Sequence, residues 1–265
     1  MMSQDGQPER SWLRPFEQAP HNLVGYAADY PAGHYTGRHT HPRAQLLYAI
    51  AGVMRVETDH ALFIVPPTTG LWMPAHEPHA VRMPDDLQMR ALFLRESVAR
   101  AGPDSVAVIA VSGLLRELIL AACDEGVAWN GKLPAQPVAA LVLHEIRRAI
   151  TRPMSLPACR DPRLARLAAV LMADPADPRD LPELAELAGA SARTLARLFR
   201  RDTGMSFQQW RRQLRLTEAF ARIAQGETPA RAAAAVGYAS GPAFGAAFRA
   251  TFGTTPGRAR GEGQG

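Results

Sequence analysis

With 265 residues, 47% of them hydrophobic, the chain is long enough for two domains, each with a core of its own. Only two cysteines are present, Cys123 and Cys159, which excludes a disulfide framework and makes a reducing cytoplasm the expected compartment; no apolar stretch approaches the roughly 18 residues that cross a bilayer. The net charge of +5 is unevenly placed, with 15 arginines against 9 acids in residues 163–265, a balance of +6, and −1 in the first 162 residues. A basic part joined to a near-neutral one fits nucleic acid at one end and a different task at the other, and equally fits a solvated arginine-rich surface.

The N-terminus, Met1 to Glu17, is polar, contains Pro8 and Pro15, and lacks the apolar core of a signal peptide, so a soluble intracellular protein is expected. From Asn22 to about Leu94 the chain reads as short β segments punctuated by turn residues: Leu23–Tyr30, Gln45–Ala51, Val53–Thr58, Ala61–Val65, Leu71–Met73, Ala80–Met83 and Leu87–Leu94. This pattern predicts a sandwich or barrel. Alternation is weak in Leu46-Leu47-Tyr48-Ala49-Ile50, as in a strand covered on both faces.

Within this stretch His39 and His41 are two residues apart, so on a strand they share a face, and a neighbouring strand can bring His79 to meet them. Three imidazoles with the Gln45 amide nearby suit Zn, Ni or Fe. The pattern Gly33, His39-Thr-His41, Gln45, Gly52 is similar to the first motif of the cupins, with Gln45 where metal-binding cupins usually have Glu. Pro74-Ala-His76-Glu-Pro-His79 resembles their second motif, with His76 in place of its glycine and Met83 in place of its asparagine. The resemblance covers about residues 22–94 and implies a cupin-like sensor barrel. It leaves two readings: a metal at His39, His41, His79 and Gln45, or a cavity that keeps the pattern for packing while an effector binds without metal. Gln45, Tyr48 and Trp72 are the effector candidates, and Trp72 equally suits a core. His34 and His60 read as surface residues.

After Pro103 the periodicity becomes helical. Leu114, Leu115, Leu118, Ile119 and Ala122 share one face, and Val138, Leu141, Val142, Glu145 and Ile146 predict a second helix ending near Thr151. Such a pair is either a dimer seam or a lid on its own barrel. Residues 153–162, bounded by Pro153 and Pro162 with Pro157 between, read as a linker.

The last third is all helix, with explicit start signals. Asp161-Pro162 and Thr228-Pro229 place a cap before proline, and Asp180-Leu-Pro-Glu183 and Ser206-Phe-Gln-Gln209 are capping boxes. Helices are predicted at about 162–173, 180–188, 191–203, 206–225, 229–236 and 240–252. One helix-turn-helix pattern is written twice: Ser191, Leu195, Phe199, Arg200 and Gly204 recur at an offset of 49 as Ser240, Phe244, Phe248, Arg249 and Gly253. Glycine turns precede each second helix, at Gly189 and Gly237. Two such units on one chain can occupy successive turns of a major groove, about 34 Å apart.

In the first unit Leu184, Ala185 and Leu187 are predicted to line one helix and Leu195, Leu198 and Phe199 the next, leaving Arg193, Arg197 and Arg201 outward. Residues near a recognition helix's N-terminus reach bases best, so Ala192, Arg193, Thr194 and Arg197 are base-reading candidates, and Arg200 and Arg201 are assigned to the DNA backbone. The second unit shows Gly241, Ala243, Gly245 and Ala246 outward, leaving Ser240 and Arg249 for phosphates. An asymmetric reader is expected.

The residues Leu184-Ala185, Gly189-Ala-Ser191, Leu195-Ala-Arg197-Leu-Phe199, Gly204-Met-Ser206-Phe207, Trp210, Val236-Gly237-Tyr238, Phe248-Arg249, Phe252-Gly253 and Thr255-Pro256 resemble the AraC/XylS-type transcriptional regulators from about Asp161 to Arg260. The resemblance implies a seven-helix domain whose long central helix, Ser206–Gln225, holds two recognition helices in adjacent groove segments. Gly245-Ala246 departs from the Ser-Arg the family often carries there.

The expected fold is therefore α+β: a sensor barrel over 1–103, a helical connection over 104–152, a linker over 153–162 and a DNA-binding domain over 163–265. The expected function is a non-enzymatic regulator of a double-stranded DNA operator, set by a small effector or metal. A homodimer is an expected partner, as is RNA polymerase for an activator; a membrane is not. The alternative is a metal-dependent cupin oxygenase or isomerase with an accessory DNA-binding domain.

Overall fold

A computed structural model describes residues 13–129 and 134–262, with side-chain burial described to residue 260, so most of the polar N-terminal stretch read above lies outside the described residues. The chain folds as two compact units, residues 1–57 with 65–152 and residues 58–64 with 153–265.

In the first unit, α1 (Arg14–Gln18) leads into β1 (Leu23–Tyr30), followed by β2 (Arg43–Ala51) and β3 (Met54–Thr58). After β4 (Ala61–Val65) come β5 (Thr69–Met73), β6 (His79–Arg82), β7 (Leu87–Arg95), α2 (Glu96–Ala99), β8 (Ala107–Ala110), α3 (Gly113–Glu125) and α4 (Ala135–Arg148). The principal sheet has the order β1-β7-β2-β5-β8, and β6 and β3 are neighbours in a second sheet. Antiparallel register sets two faces, because directly opposed residues point the same way. One row is Val24, Phe93, Gln45 and Met73; the next, on the opposite face, is Gly25, Leu92, Leu46 and Trp72.

Helix α3 covers the second of these faces so closely that a Cβ on Gly25 would meet the Ala122 carbonyl oxygen at 2.2 Å. Leu46, Tyr48, Trp72 and Leu92 join Leu115, Ile119, Val142 and Ile146 in one buried cluster. The helical reading after Pro103 omitted β8, which pairs with β5. Leu114 and Leu141, grouped with the buried faces by periodicity, are 52% and 46% exposed.

The second unit begins where β4 pairs with β9 (Ser155–Pro157), Leu62 opposite Leu156. A strand thus forms inside the stretch read as linker, and residues 58–64, read as part of the barrel, belong to this second unit. Seven helices follow among the described residues: α5 (Pro162–Ala173), α6 (Leu181–Ala188), α7 (Ala192–Thr203), α8 (Phe207–Ala224), α9 (Pro229–Ala235), α10 (Gly241–Phe252) and α11 (Pro256–Glu262). The predicted caps form: Asp161 accepts from Arg163 N, Thr228 from Arg231 N, and the reciprocal capping boxes of Asp180 with Glu183 and Ser206 with Gln209 are complete. Local signals suffice here because a cap satisfies amides within its own first turn. Helix α8, 18 residues and so about 27 Å long, is the central member. Phe199, Trp210, Phe220 and Phe248 are buried along it. Leu187, predicted to line α6, is 54% exposed. No helix among the described residues is long and apolar enough to cross a membrane.

Candidate DNA-binding and sensor sites

The repeated pattern becomes a repeated structure. Helices α7 and α10 each have 12 residues, start at a serine whose hydroxyl accepts from the third following amide, and end at a left-handed glycine, Gly204 at φ 70° and Gly253 at φ 69°. Leu195 and Phe199 in one, Phe244 and Phe248 in the other, are buried. Gly189 and Gly237 turn the chain at φ 62° and 78°, a region where a side chain is strained; at Gly237 a Cβ would also meet the Ala176 backbone at 3.1 Å.

The outward faces differ. On α7, Arg193, Arg197 and Arg200 are exposed, Thr194 is half-buried with its hydroxyl 2.9 Å from that of Ser191, and Ala192 is half-buried at the helix start. Arg201 is exposed but engaged: its Nε donates to Asp202 at 2.7 Å, and its guanidinium lies 3.6 Å from Asp161, whose carboxyl the Arg163 hydrogen bond holds down at about 2. On α10 the exposed positions are Gly241, Pro242, Ala243, Ala246, Arg249 and Ala250, with Gly245 half-buried; Ser240, its cap, is exposed too.

Other arginines of this unit serve its interior. Arg211 donates to the carbonyls of Asp177 and Arg179, and Arg215 to those of Pro175 at 2.7 Å and Asp177 at 3.0 Å. Together they clasp the loop that leads into α6. The net positive charge read from sequence therefore overstates the charge offered to a partner.

In the first unit, His39 and His79 form an isolated antiparallel bridge, each amide donating to the other's carbonyl at 2.7 Å. This brings their ring centroids to 4.1 Å, and His41 stands 6.0 Å from His39 and 5.3 Å from His79. One ligand atom from each of the three lies within 4.8 Å of the others, and all three residues are buried. The pair precedes β2 rather than lying within it.

Each ring is oriented the same way. Nδ1 of His39 lies 3.0 Å from Gly37 O, Nδ1 of His41 2.6 Å from Arg43 O, and Nδ1 of His79 2.9 Å from Glu77 O. A carbonyl can only accept, so each Nδ1 carries a proton, which in the neutral ring leaves the lone pair on Nε2, the arrangement typical of metal-ligating histidines. Burial lowers the basicity of His41, which favours the same neutral state. Its Nε2 faces Gln45 Oε1 at 3.1 Å. In the neutral ring these are two acceptors, which repel at that distance unless the amide is turned over or a cation lies between them; a proton on Nε2 would instead donate to the amide oxygen. The residues thus fit a divalent transition metal with nitrogen and amide-oxygen donors.

Gln45 shares the face of Phe93, whose ring stands 5.2 Å from that of His41. The structure does not bring Tyr48 and Trp72 to this group. They lie on the α3 side of the sheet, where Tyr48 meets Arg116 and Trp72 Nε1 donates to Pro103 O at 2.8 Å. His76, standing where a cupin has glycine, adopts φ 65°, the left-handed conformation that glycine would take without strain. His34 is half-buried against Tyr30, its ring 4.7 Å away, and His60 is exposed beside Arg160.

Sequence reasoning missed Arg43. Buried at the start of β2, it donates to the carbonyls of Glu17 at 3.3 Å, Ala19 at 2.5 Å and His21 at 2.9 Å, fastening the segment after α1 beside the histidines. Nothing in its spacing sets it apart from a surface arginine.

Residues 184–262 match the family profile described as a helix-turn-helix domain, and residues 20–174 match the AraC-like ligand binding domain. The chain is 29% identical over 202 residues to the HTH-type transcriptional regulator NimR of Escherichia coli K12, covering 76% of this chain and 74% of that protein. It is 31% identical over 204 residues to the HTH-type transcriptional regulator RipA of Corynebacterium glutamicum, covering 74% of this chain and 56% of that one. Among solved structures, ToxT from Vibrio cholerae O395 aligns over 92% of this chain and 99% of its own, at 8% identity and a TM-score of 0.40. The repeated helix-turn-helix geometry and the ligand-binding profile spanning more than half of the chain lead to one conclusion: the chain belongs to the AraC family, DNA-binding transcriptional regulators with an N-terminal ligand-binding domain.

Proposed function

We propose that this regulator reads its operator asymmetrically, bases through α7 and phosphates through α10, and that His39, His41 and His79, with Gln45 beside them, hold one divalent transition metal, Zn, Ni or Fe, in the sensor. The observation that carries the reading of DNA is the contrast between Arg193 and Arg197 on α7 and Pro242 and Ala246 at the equivalent positions of α10, whereas Arg200 has its counterpart in Arg249. Arginine matches guanine O6 and N7, whereas proline and alanine offer no bidentate contact. Ser240 and Arg249 remain for phosphate, which positions without specifying.

The common Nδ1 orientation of the three imidazoles supports the metal, which would supply a Lewis-acidic point for an effector's donor atom. Effector binding biases the molecule between DNA-competent and incompetent states, which requires unequal affinity for the two. A second copy of the chain is proposed to sit on α3 and α4, where Leu114 and Leu141 are exposed, and RNA polymerase is the further partner where the protein activates. The proposed site of action is the cytoplasm, and the sensor is proposed to be non-catalytic, because Gln45 in place of the usual Glu removes the charge that commonly completes a cupin metal site.

Genome-wide mapping of bound DNA followed by footprinting tests the DNA half. Base preference concentrated in the half-site under the first unit is expected, and equal information in both halves overturns the asymmetry. Elemental analysis of tag-free protein tests the metal: one per chain is expected, with less in His39→Ala and His79→Ala. Equal content in all three proteins removes it. The same two variants should lose the effector response, and a normal response in both removes the histidines from sensing.

A further inference from the structure

We infer that the effector of this sensor is a small organic carboxylate that binds directly to the cation held by His39, His41, His79 and Gln45. The inference deepens the metal reading above and rests on it. Its basis is the charge of the donor set. Each imidazole has its Nδ1 proton committed to a backbone carbonyl, so a cation would be bound through Nε2 by a ring that is then neutral, and the fourth side chain is a neutral amide. Among the described residues no carboxylate belongs to the group.

A divalent cation there keeps its whole charge, in a place where all four donors are buried. Uncompensated charge in such surroundings is strongly unfavourable. The charged groups nearby do not correct it. Arg43 is buried and positive; Arg95 joins it in holding the Ala19 carbonyl and is positive too. Glu17 acts electrostatically on both His41 and Arg43, so its one negative charge is already opposed by Arg43 before any cation is added. The pocket is therefore short of negative charge once a cation enters.

Three imidazoles and one amide leave a cation of five- or six-fold coordination with an open position. A ligand that brings an anionic oxygen fills such a position and supplies the missing charge in one event, so cation and carboxylate bind cooperatively. Gln45 is then the residue that makes the sensor depend on its ligand. A glutamate in its place would provide the charge from within and leave less need for an outside anion.

The test uses the full-length protein and Co(II), whose visible bands report its coordination. Co(II) affinity is measured alone, with sodium acetate, with sodium benzoate, and with sodium perchlorate as an ionic-strength control. Acetate and benzoate are expected to shift the bands saturably and to raise Co(II) affinity about tenfold, with an equal gain in carboxylate affinity, because binding linkage is reciprocal. Perchlorate should do neither. In Gln45→Glu, Co(II) should bind more tightly without anion, and the acetate effect should fall below about twofold. Tight Co(II) binding whose spectrum and affinity ignore carboxylates overturns the inference and leaves the metal reading standing. Failure of the wild type to bind Co(II), Zn(II) or Ni(II) overturns both. The wild-type titrations decide the matter even if Gln45→Glu does not fold.

Discussion

Helices α7 and α10 share a length, a serine cap and a left-handed glycine stop, yet Arg193 and Arg197 of α7 stand where α10 presents Pro242 and Ala246. The frame of a helix-turn-helix and its reading surface are thus separable. The frame depends on buried positions and caps, which the two copies keep. The surface depends on outward positions, which packing leaves unconstrained and which have diverged. A second unit with an intact frame and a bare surface is suited to holding DNA in register for the first.

The largest effect should come from breaking the frame of the second unit. Phe248 is buried, stacked on Phe220 at 5.7 Å and edge-on to Phe252 at 4.8 Å, so Phe248→Ala should cost about 3–5 kcal/mol of stability. Urea unfolding of the full-length protein measures it, and a loss under about 1 kcal/mol would mean that the second frame is dispensable.

Breaking the surface of the first unit comes next. Arg197→Ala should cost about 1–3 kcal/mol at the operator and relax preference at one or two base pairs. Unchanged affinity and selectivity would show that α7 is not the reader.

Caps sharpen the claim that the frames are equivalent. Ser191→Ala and Ser240→Ala remove corresponding bonds, to Thr194 N at 3.2 Å and to Ala243 N at 3.4 Å, and should each cost about 1 kcal/mol in unfolding experiments. A large inequality would separate the two frames after all.

The smallest effect is expected at Arg249. Arg249→Ala should weaken all DNA sequences alike and lower the salt dependence by about one phosphate contact. Titrations on operator and random DNA over a range of salt measure it; a loss confined to the operator would make α10 a base reader.

Some of this architecture was legible because it is written locally. The helices of the second unit follow their caps, and α7 and α10 repeat because buried apolar positions and terminal glycines recur at fixed spacing. The histidine cluster was legible in part: a two-residue period puts His39 and His41 on one side, although the bridge that brings in His79 is a pairing between distant segments. Strands β8 and β9 were not legible. They are four and three residues long and owe their existence to β5 and β4, not to any pattern of their own.

By itself, the sequence determined the limits of α5 to α10 but not α11, the repeated DNA-binding frame and the residue types of the sensor, since capping and amphipathic periodicity act within a turn or two of the chain. Only the tertiary structure decided which face of the sheet Tyr48 and Trp72 occupy. The strand that carries Tyr48 is buried on both sides and so shows no alternation to betray its orientation. It also decided which arginines face solvent. Arg43, Arg211 and Arg215 match the arginines of α7 in chemistry, but each meets backbone carbonyls brought from more than twenty residues away. A guanidinium's role follows from the acceptors placed before it, and those acceptors are assembled only when the chain folds.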